Sequence, residues 1–203
     1  MKEVLRVGML HPTFAMIDTE VEGQAITYTS GMVIGNAVSA QITWNRADTS
    51  HYGDDVEDAR DNGILSGDIS FVSSGITDAG RALMLGDEEV STGEYEASTE
   101  ASPYGGFGYI RVLRKDGETA YEGIWMHKVQ FGENTVNDNT RGETIEWGET
   151  TLEGRISPVK NNASLKNRVM AHKFFEDLED ADEWLQGKAN ITTTTTNNQS
   201  VNG

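Results

Sequence analysis

The sequence predicts a mainly β protein: a β-sandwich with a flanking short helix, a long inter-strand loop and a C-terminal helical segment. Three observations carry this. Val38, Ala40, Ile42 and Trp44 alternate with Ser39, Gln41 and Thr43, the period of a half-buried strand. Two strand-like runs, 107–113 and 119–131, flank Arg114-Lys115-Asp116-Gly117-Glu118, and Asp-Gly favours a tight hairpin turn. Beyond residue 164 the apolar spacing changes from two to three and four.

Taken in order, residues 4–28 mix single apolar residues with turn formers and read as an irregular or short-stranded arm. The strand at 38–44 follows. Residues 46–63 break the pattern with Asp48, Asp54, Asp55, Glu57, Asp58 and Asp61 and few apolar residues. A loop this long inside a compact domain is usually functional or disordered. Strand periodicity resumes at Leu65, Gly67, Ile69 and Phe71. Residues 77–85 read as a short helix capped by Thr77, with Asp78 in its first turn and Gly86 at its end. Residues 87–102 are acidic and turn-rich, a second loop.

In the second hairpin arm Tyr121, Gly123, Trp125, His127 and Val129 share one side. Glu122, Ile124, Met126 and Lys128 share the other, so this strand is expected to be covered on both faces. Residues 144–147 and 151–156 are strand-like. Leu165, Val169, His172, Phe175 and Leu178 then recur at helical spacing, with a break expected at Asp180-Ala181-Asp182. Phe174, Phe175 and Trp184 are read as the helix docking on the sandwich. The expected organisation is a sandwich domain over 1–160, a helical extension over 161–189 and a Thr/Asn-rich tail over 190–203. The tail has almost nothing to bury and is expected to be disordered when free.

Composition excludes several function classes. The 203 residues contain no cysteine, which removes disulfides, thiolate metal sites and thiol catalysis. The formal net charge of -17 argues against a protein that grips nucleic acid, because gripping uses Lys and Arg to displace counterions. It is compatible with one that lets nucleic acid slide past. No run of about 20 apolar residues could span a membrane, and residues 1–10 lack signal-peptide character.

Catalytic signatures are absent as well. No Gly-x-Ser-x-Gly exists, and His11, His51, His127 and His172 have no patterned partners. The acids near Trp125 and Trp147 could serve a glycosidase only across a cleft that sequence does not define. The acids at 54–61 lack EF-hand spacing, so a solvated or subunit-facing loop is preferred over a calcium site. Gly105-Gly106-Phe107-Gly108 lacks the Gly-Lys-Ser/Thr of a phosphate loop and reads as a turn or tight interface packing. No catalytic role, metal or cofactor is expected.

Several soft motifs, in this order, resemble the major tail proteins (tail tube proteins) of siphophages of Gram-positive bacteria. They are Gly31-Met32-Val33-Ile34-Gly35-Asn36-Ala37-Val38-Ser39-Ala40 leading to Trp44-Asn45, and Tyr52-Gly53-Asp54-Asp55 continuing to Asp61-Asn62. After residues 105–131 come Arg141-Gly142-Glu143-Thr144-Ile145-Glu146-Trp147, Leu152-Glu153-Gly154-Arg155-Ile156 and Ala171-His172-Lys173-Phe174-Phe175 with Trp184-Leu185. The likeness runs to about Gln186. It implies a tail-tube-type β-sandwich whose copies form hexameric rings, joining sheets into a continuous barrel around a lumen, with rings stacked into a tube for DNA ejection.

Carried onto this chain, the resemblance makes residues 46–63 the inter-ring stacking loop, with Asp48, Tyr52, Asp54, Asp55, Glu57, Asp58 and Asp61 as contacts. The strands around 107–131, 38–44 and 65–71 become lumen or inter-subunit strands, with Gln41, Thr43, Asp68, Arg111, Glu122 and Lys128 as candidate residues. Implied partners are further copies of the chain, a tape measure protein, and tail tip and tail terminator proteins. Phage DNA passes without specific binding, and no membrane is engaged. The implied location is the virion tail, assembled in the host cytoplasm. The alternative is a monomeric β-sandwich module that binds carbohydrate or a host surface through an exposed platform of Trp44, Trp125 and Trp147.

Overall fold

The computed structural model describes residues 4–53, 56–115, 117–133, 148–159 and 167–191, with backbone alone over 49–53 and 56–61. The elements run β1 (Val4–Thr19), β2 (Thr27–Val33), β3 (Gly35–Arg46), β4 (Thr49–Gly53), β5 (Val56–Asp61) and β6 (Ile64–Ile76). Then come α1 (Asp78–Leu85), β7 (Glu88–Ser91), β8 (Glu94–Glu96), β9 (Tyr104–Lys115) and β10 (Glu118–Gly132). β11 (Thr150–Ile156), β12 (Met170–Phe175) and α2 (Leu178–Lys188) complete the chain.

The protein is mainly β, a sandwich built from one folded-over antiparallel sheet. The strand path is β2-β1-β9-β10-β11-β6-β3, with β12 also pairing β10. β10 is the fork. Tyr121 to Met126 pair with β12, and Val129 to Gly132 pair with β11. A register shift between Met126 and Val129 separates the two halves. The sheet doubles there, so β11, β6 and β3 lie over β1, β9 and β10. Phe14, Ile69, Phe71, Phe107, Met126, Phe131 and Leu152 fill the space between. Their rings meet edge to face, as aromatic quadrupoles prefer: Phe107 stands 5.2 Å from Phe71 and 5.1 Å from Phe131.

The Asp-Gly hairpin forms as read. Lys115 pairs with Glu118 around the turn, and Gly117 takes φ +89°. β3 pairs with β6 over most of its length. Helix α1 is also as read. The Thr77 hydroxyl accepts from the Gly80 amide at 3.1 Å, and Gly86 closes the helix at φ +83°. Its Met84 is fully buried in the sandwich core.

Several expectations are corrected. The arm at 4–28 contains a 16-residue strand, β1, paired with β9. Register shifts at Arg6/Gly8 and Leu10/Thr13, with His11 at φ +50°, interrupt the period of two and hid it. The loop at 87–102 contains the hairpin β7–β8, whose β7 is wholly exposed and gives no apolar alternation. Val38 does not share the inner face of β3; a shift between Ala37 and Ser39 leaves it 47% exposed.

The C-terminal region departs most. Residues 170–175 form a strand, not a helix, and this strand is integral to the sheet rather than part of an appended segment. Met170, Ala171, Phe174 and Phe175 suit either period, and the open margin of β10 selects the strand. Helix α2 begins only at Leu178 and runs through Asp180-Ala181-Asp182 unbroken, with Ala181 buried. Leu165 and the strand-like residues 144–147 lie outside the described residues.

Candidate functional site

The two halves of the sandwich differ in what they leave open. β10 is sealed on both faces. Ile124, Met126 and Val129 enter the sandwich core. Trp125 enters a second cluster with Ala15, Tyr28, Ile110, Ala181 and Leu185, beneath α2. The expected covering of both faces therefore holds, but the bulge moves Val129 from the Trp125 side to the core. The glycines of the 105–108 run explain the fit. A Cβ on Gly106 would lie 2.2 Å from Trp125 Cζ2, and one on Gly108 2.6 Å from Trp125 Cε3. The run is a strand against which the chain's own indole packs, not a turn; an interface role for it is untested.

Behind Trp125 the Tyr28 hydroxyl donates to the His127 carbonyl at 2.9 Å. Burial pushes Tyr28 up to about 12 and His127 down to about 4, with Lys188 and Arg168 adding to the second shift. His127 is thus a neutral residue near pH 7, and it lies on strand β10 as read.

The other half is open. Among the described residues β3 has a ladder with β6 alone, β2 with β1 alone and β12 with β10 alone. Each presents one unpaired margin, a surface that other strands can join. The outer face of β3, β6 and β11 carries polar rows in register. Gln41 stands beside Ser70 and Ser70 beside Glu153; Thr43 stands beside Asp68 and Asp68 beside Arg155. Asn45 Nδ2 donates to Asp68 Oδ2 at 2.8 Å. Gln41, Thr43, Asp68, Ser70, Glu153 and Arg155 line a depression of about 730 Å³.

Of the six candidate lumen residues, Gln41, Thr43 and Asp68 are brought together and exposed on this face. The other three are not. Arg111 and Glu122 pair at 2.6 Å at the mouth between the two layers, where His172 approaches Glu122 at 3.2 Å. Arg6, Trp44 and Tyr109 help bound this cavity of about 350 Å³. β9 and β10 lie inside the fold here, so their polar residues meet each other. Lys128 is taken by Glu20 and by the Tyr104 ring, 4.6 Å from its centroid. Ser70, Gln130, Glu153 and Arg155 belong to the polar face and were missed. Alternation in β11 signals Glu153 and Arg155, but only the pairing with β6 places them beside Ser70 and Asp68.

The segment read as a stacking loop contains a two-stranded ribbon. β4 and β5 form their own antiparallel pair, with Thr49 opposite Asp61 and Gly53 opposite Val56. The bond from Ala47 N to Gly63 O, 2.8 Å, joins this pair to the end of the β3–β6 ladder. The β3–β6 arms therefore continue outward from the sandwich. Asp48 is exposed at the base of the ribbon. Tyr52 falls on β4, and Glu57, Asp58 and Asp61 on β5, described as backbone. Asp54 and Asp55 lie outside the described residues.

The aromatic platform of the alternative reading is not assembled. Trp125 is fully buried, Trp44 packs against the core, and Trp147 is outside the described residues. The expected docking stripe is split. Phe175 meets Trp184 at 6.0 Å, whereas Phe174 is 61% exposed on β12. Among the described residues no three His, Asp or Glu side chains gather into a metal-binding group. No helix among them is long and apolar enough to cross a membrane. No protein-family model matches this chain, and no curated protein matches it in sequence.

Proposed function

We propose that this chain is a non-enzymatic structural subunit that polymerises into stacked hexameric rings, forming the tube of a phage tail through which DNA is ejected. The observation that supports this best is the margin of β3, unpaired among the described residues, beside an exposed polar face. A head-to-tail cyclic arrangement would pair such margins around a ring and leave none exposed. The polar rows of Gln41, Thr43, Asp68, Ser70, Glu153 and Arg155 would then line the lumen. That face holds two carboxylates against one guanidinium, within a chain of net charge -17. Such a surface repels phosphate rather than binding it.

The ribbon of β4 and β5 supports a stacking role, since it extends beyond the sandwich and would reach the next ring. The proposed partners are other copies of the chain, a tape measure protein, and tail tip and tail terminator proteins, with the virion tail as location. Electron microscopy of concentrated protein, alone and with a tail-tip complex, tests the proposal. Rings or tubes with a central channel are expected. A species that stays monomeric under both conditions would overturn it.

A further inference from the structure

We infer that the groove between β12 and α2 takes an extended basic segment of a protein partner, which adds as a strand to the margin of β12. Among the described residues β12 has a ladder with β10 alone. A groove of about 800 Å³ lies on its other side. Three consecutive residues of β12, Lys173, Phe174 and Phe175, line this groove, and no residue of β10 does. Successive side chains of a strand point to opposite faces of the sheet. A groove that touches all three therefore follows the edge of the strand and not one face. Residues 172–174 are all exposed, in keeping with an uncovered edge. Main-chain groups on such an edge are a template for a further strand.

The walls state what kind of strand fits. On one face Phe175 meets Trp184 of α2, and Asp180 and Glu183 of the same helix line the groove. Glu176 and Asp177, between β12 and α2, line it as well. All four carboxylates are exposed, and none meets a cation within ion-pair distance among the described residues. The two lysines of the groove lie over rings instead. Lys173 stands 4.9 Å from the Phe175 centroid and Lys188 5.5 Å from that of Trp184. On the opposite face Phe174 is 61% exposed, with the His172 ring at 5.8 Å. A strand that alternates basic and apolar residues satisfies both faces. Its basic row faces the carboxylates of α2, and its apolar row covers Phe174. The net charge of the chain would attract any cation, but only extended backbone can use the margin. Binding of this kind takes place on the isolated chain and is independent of tube formation.

The probe is the labelled peptide Lys-Val-Lys-Phe-Lys-Val-Lys, titrated into the full-length chain and followed by fluorescence anisotropy and hydrogen exchange. It is expected to bind and to slow exchange of outward-facing β12 amides about tenfold, with β2 and β3 amides unchanged. The acidic counterpart Glu-Val-Glu-Phe-Glu-Val-Glu is expected to bind at least tenfold more weakly. Two forms of the basic peptide, N-methylated on alternate residues in either frame, carry the same charge. One is expected to bind at least tenfold more weakly than the other, because only one row of amides faces β12. Asp180→Asn with Glu183→Gln is expected to weaken binding about fivefold, while unchanged β9 and β10 exchange reports an intact sandwich. No binding, equal binding of the two methylated forms, wild-type affinity in the double variant, or protection that falls on β2 or β3 would overturn the inference. Protection of β12 that rises with protein concentration alone would assign the margin to a second copy and overturn it too.

Discussion

Strands β10 and β3 are both long and both alternate, yet they end in opposite situations. β10 has a ladder on each side and a covered face above and below. Among the described residues β3 has one ladder, one covered face and one open margin. Burial on both sides makes β10 the mechanical centre of the chain. Its sequence shows this, since Ile124, Trp125 and Met126 are consecutive apolar residues and all three are buried. β3 keeps strict inside–outside alternation from Ala40 to Trp44, which marks a strand whose second face meets something else. The closed half accounts for stability, and the open half is where the proposed assembly takes place.

The largest effect is expected in the closed half. Trp125→Ala would remove a fully buried indole and is expected to cost about 3–5 kcal/mol in urea unfolding. A cost below about 1 kcal/mol would mean that α2 and β10 do not form a second core.

His127 gives the next effect, through pH. Its imidazole is held near 4 when folded, against about 6.5 when unfolded. The unfolded chain therefore binds more protons between these values. Its contribution is fully favourable above about pH 6.5 and declines as pH falls toward 4, by an amount on the order of 3 kcal/mol. Many carboxylates titrate in the same range, so the comparison is between the wild-type protein and His127→Gln. The variant is expected to show the shallower stability loss from pH 6.5 to 4. Parallel curves would place His127 in contact with solvent.

In the open half the expected effects on folding are small and those on assembly large. Replacing residues 54–61 with a short Gly/Ser linker is expected to change unfolding stability by less than about 1 kcal/mol, because the ribbon lies outside the main sheet. Tube formation is expected to fail. Normal tubes from that variant would remove the stacking role. Val38→Lys, at an exposed site on the margin of β3, is expected to stay within about 0.5 kcal/mol of wild type. A lysine on an edge discourages pairing, so this change is expected to reduce assembly at least tenfold, read by light scattering.

The same contrast explains what could be read from sequence. The β9–β10 hairpin, α1 and its caps, and the β3–β6 arms were legible because local signals decide them: Asp-Gly, Thr77, Gly86 and clean alternation. β1 was not, because its bulges break the period. Residues 170–175 were not, because their pattern fits helix and strand alike and only the vacant margin of β10 decides. Half of the candidate lumen residues gather on one exposed face. Gln41, Thr43 and Asp68 share a face by alternation on two paired strands. Arg111 and Glu122 alternate just as well, but they are register partners in the β9–β10 ladder, and their face lies at the mouth between the two layers.

The most direct test is hydrogen exchange on β3 and β10 in the isolated chain and in the assembled state. The outward-facing amides of β3 are expected to exchange at least tenfold more slowly once assembled, while those of β10 stay protected throughout. If β3 were as protected as β10 in the isolated chain, or unchanged in the assembly, its margin would not be the joining surface.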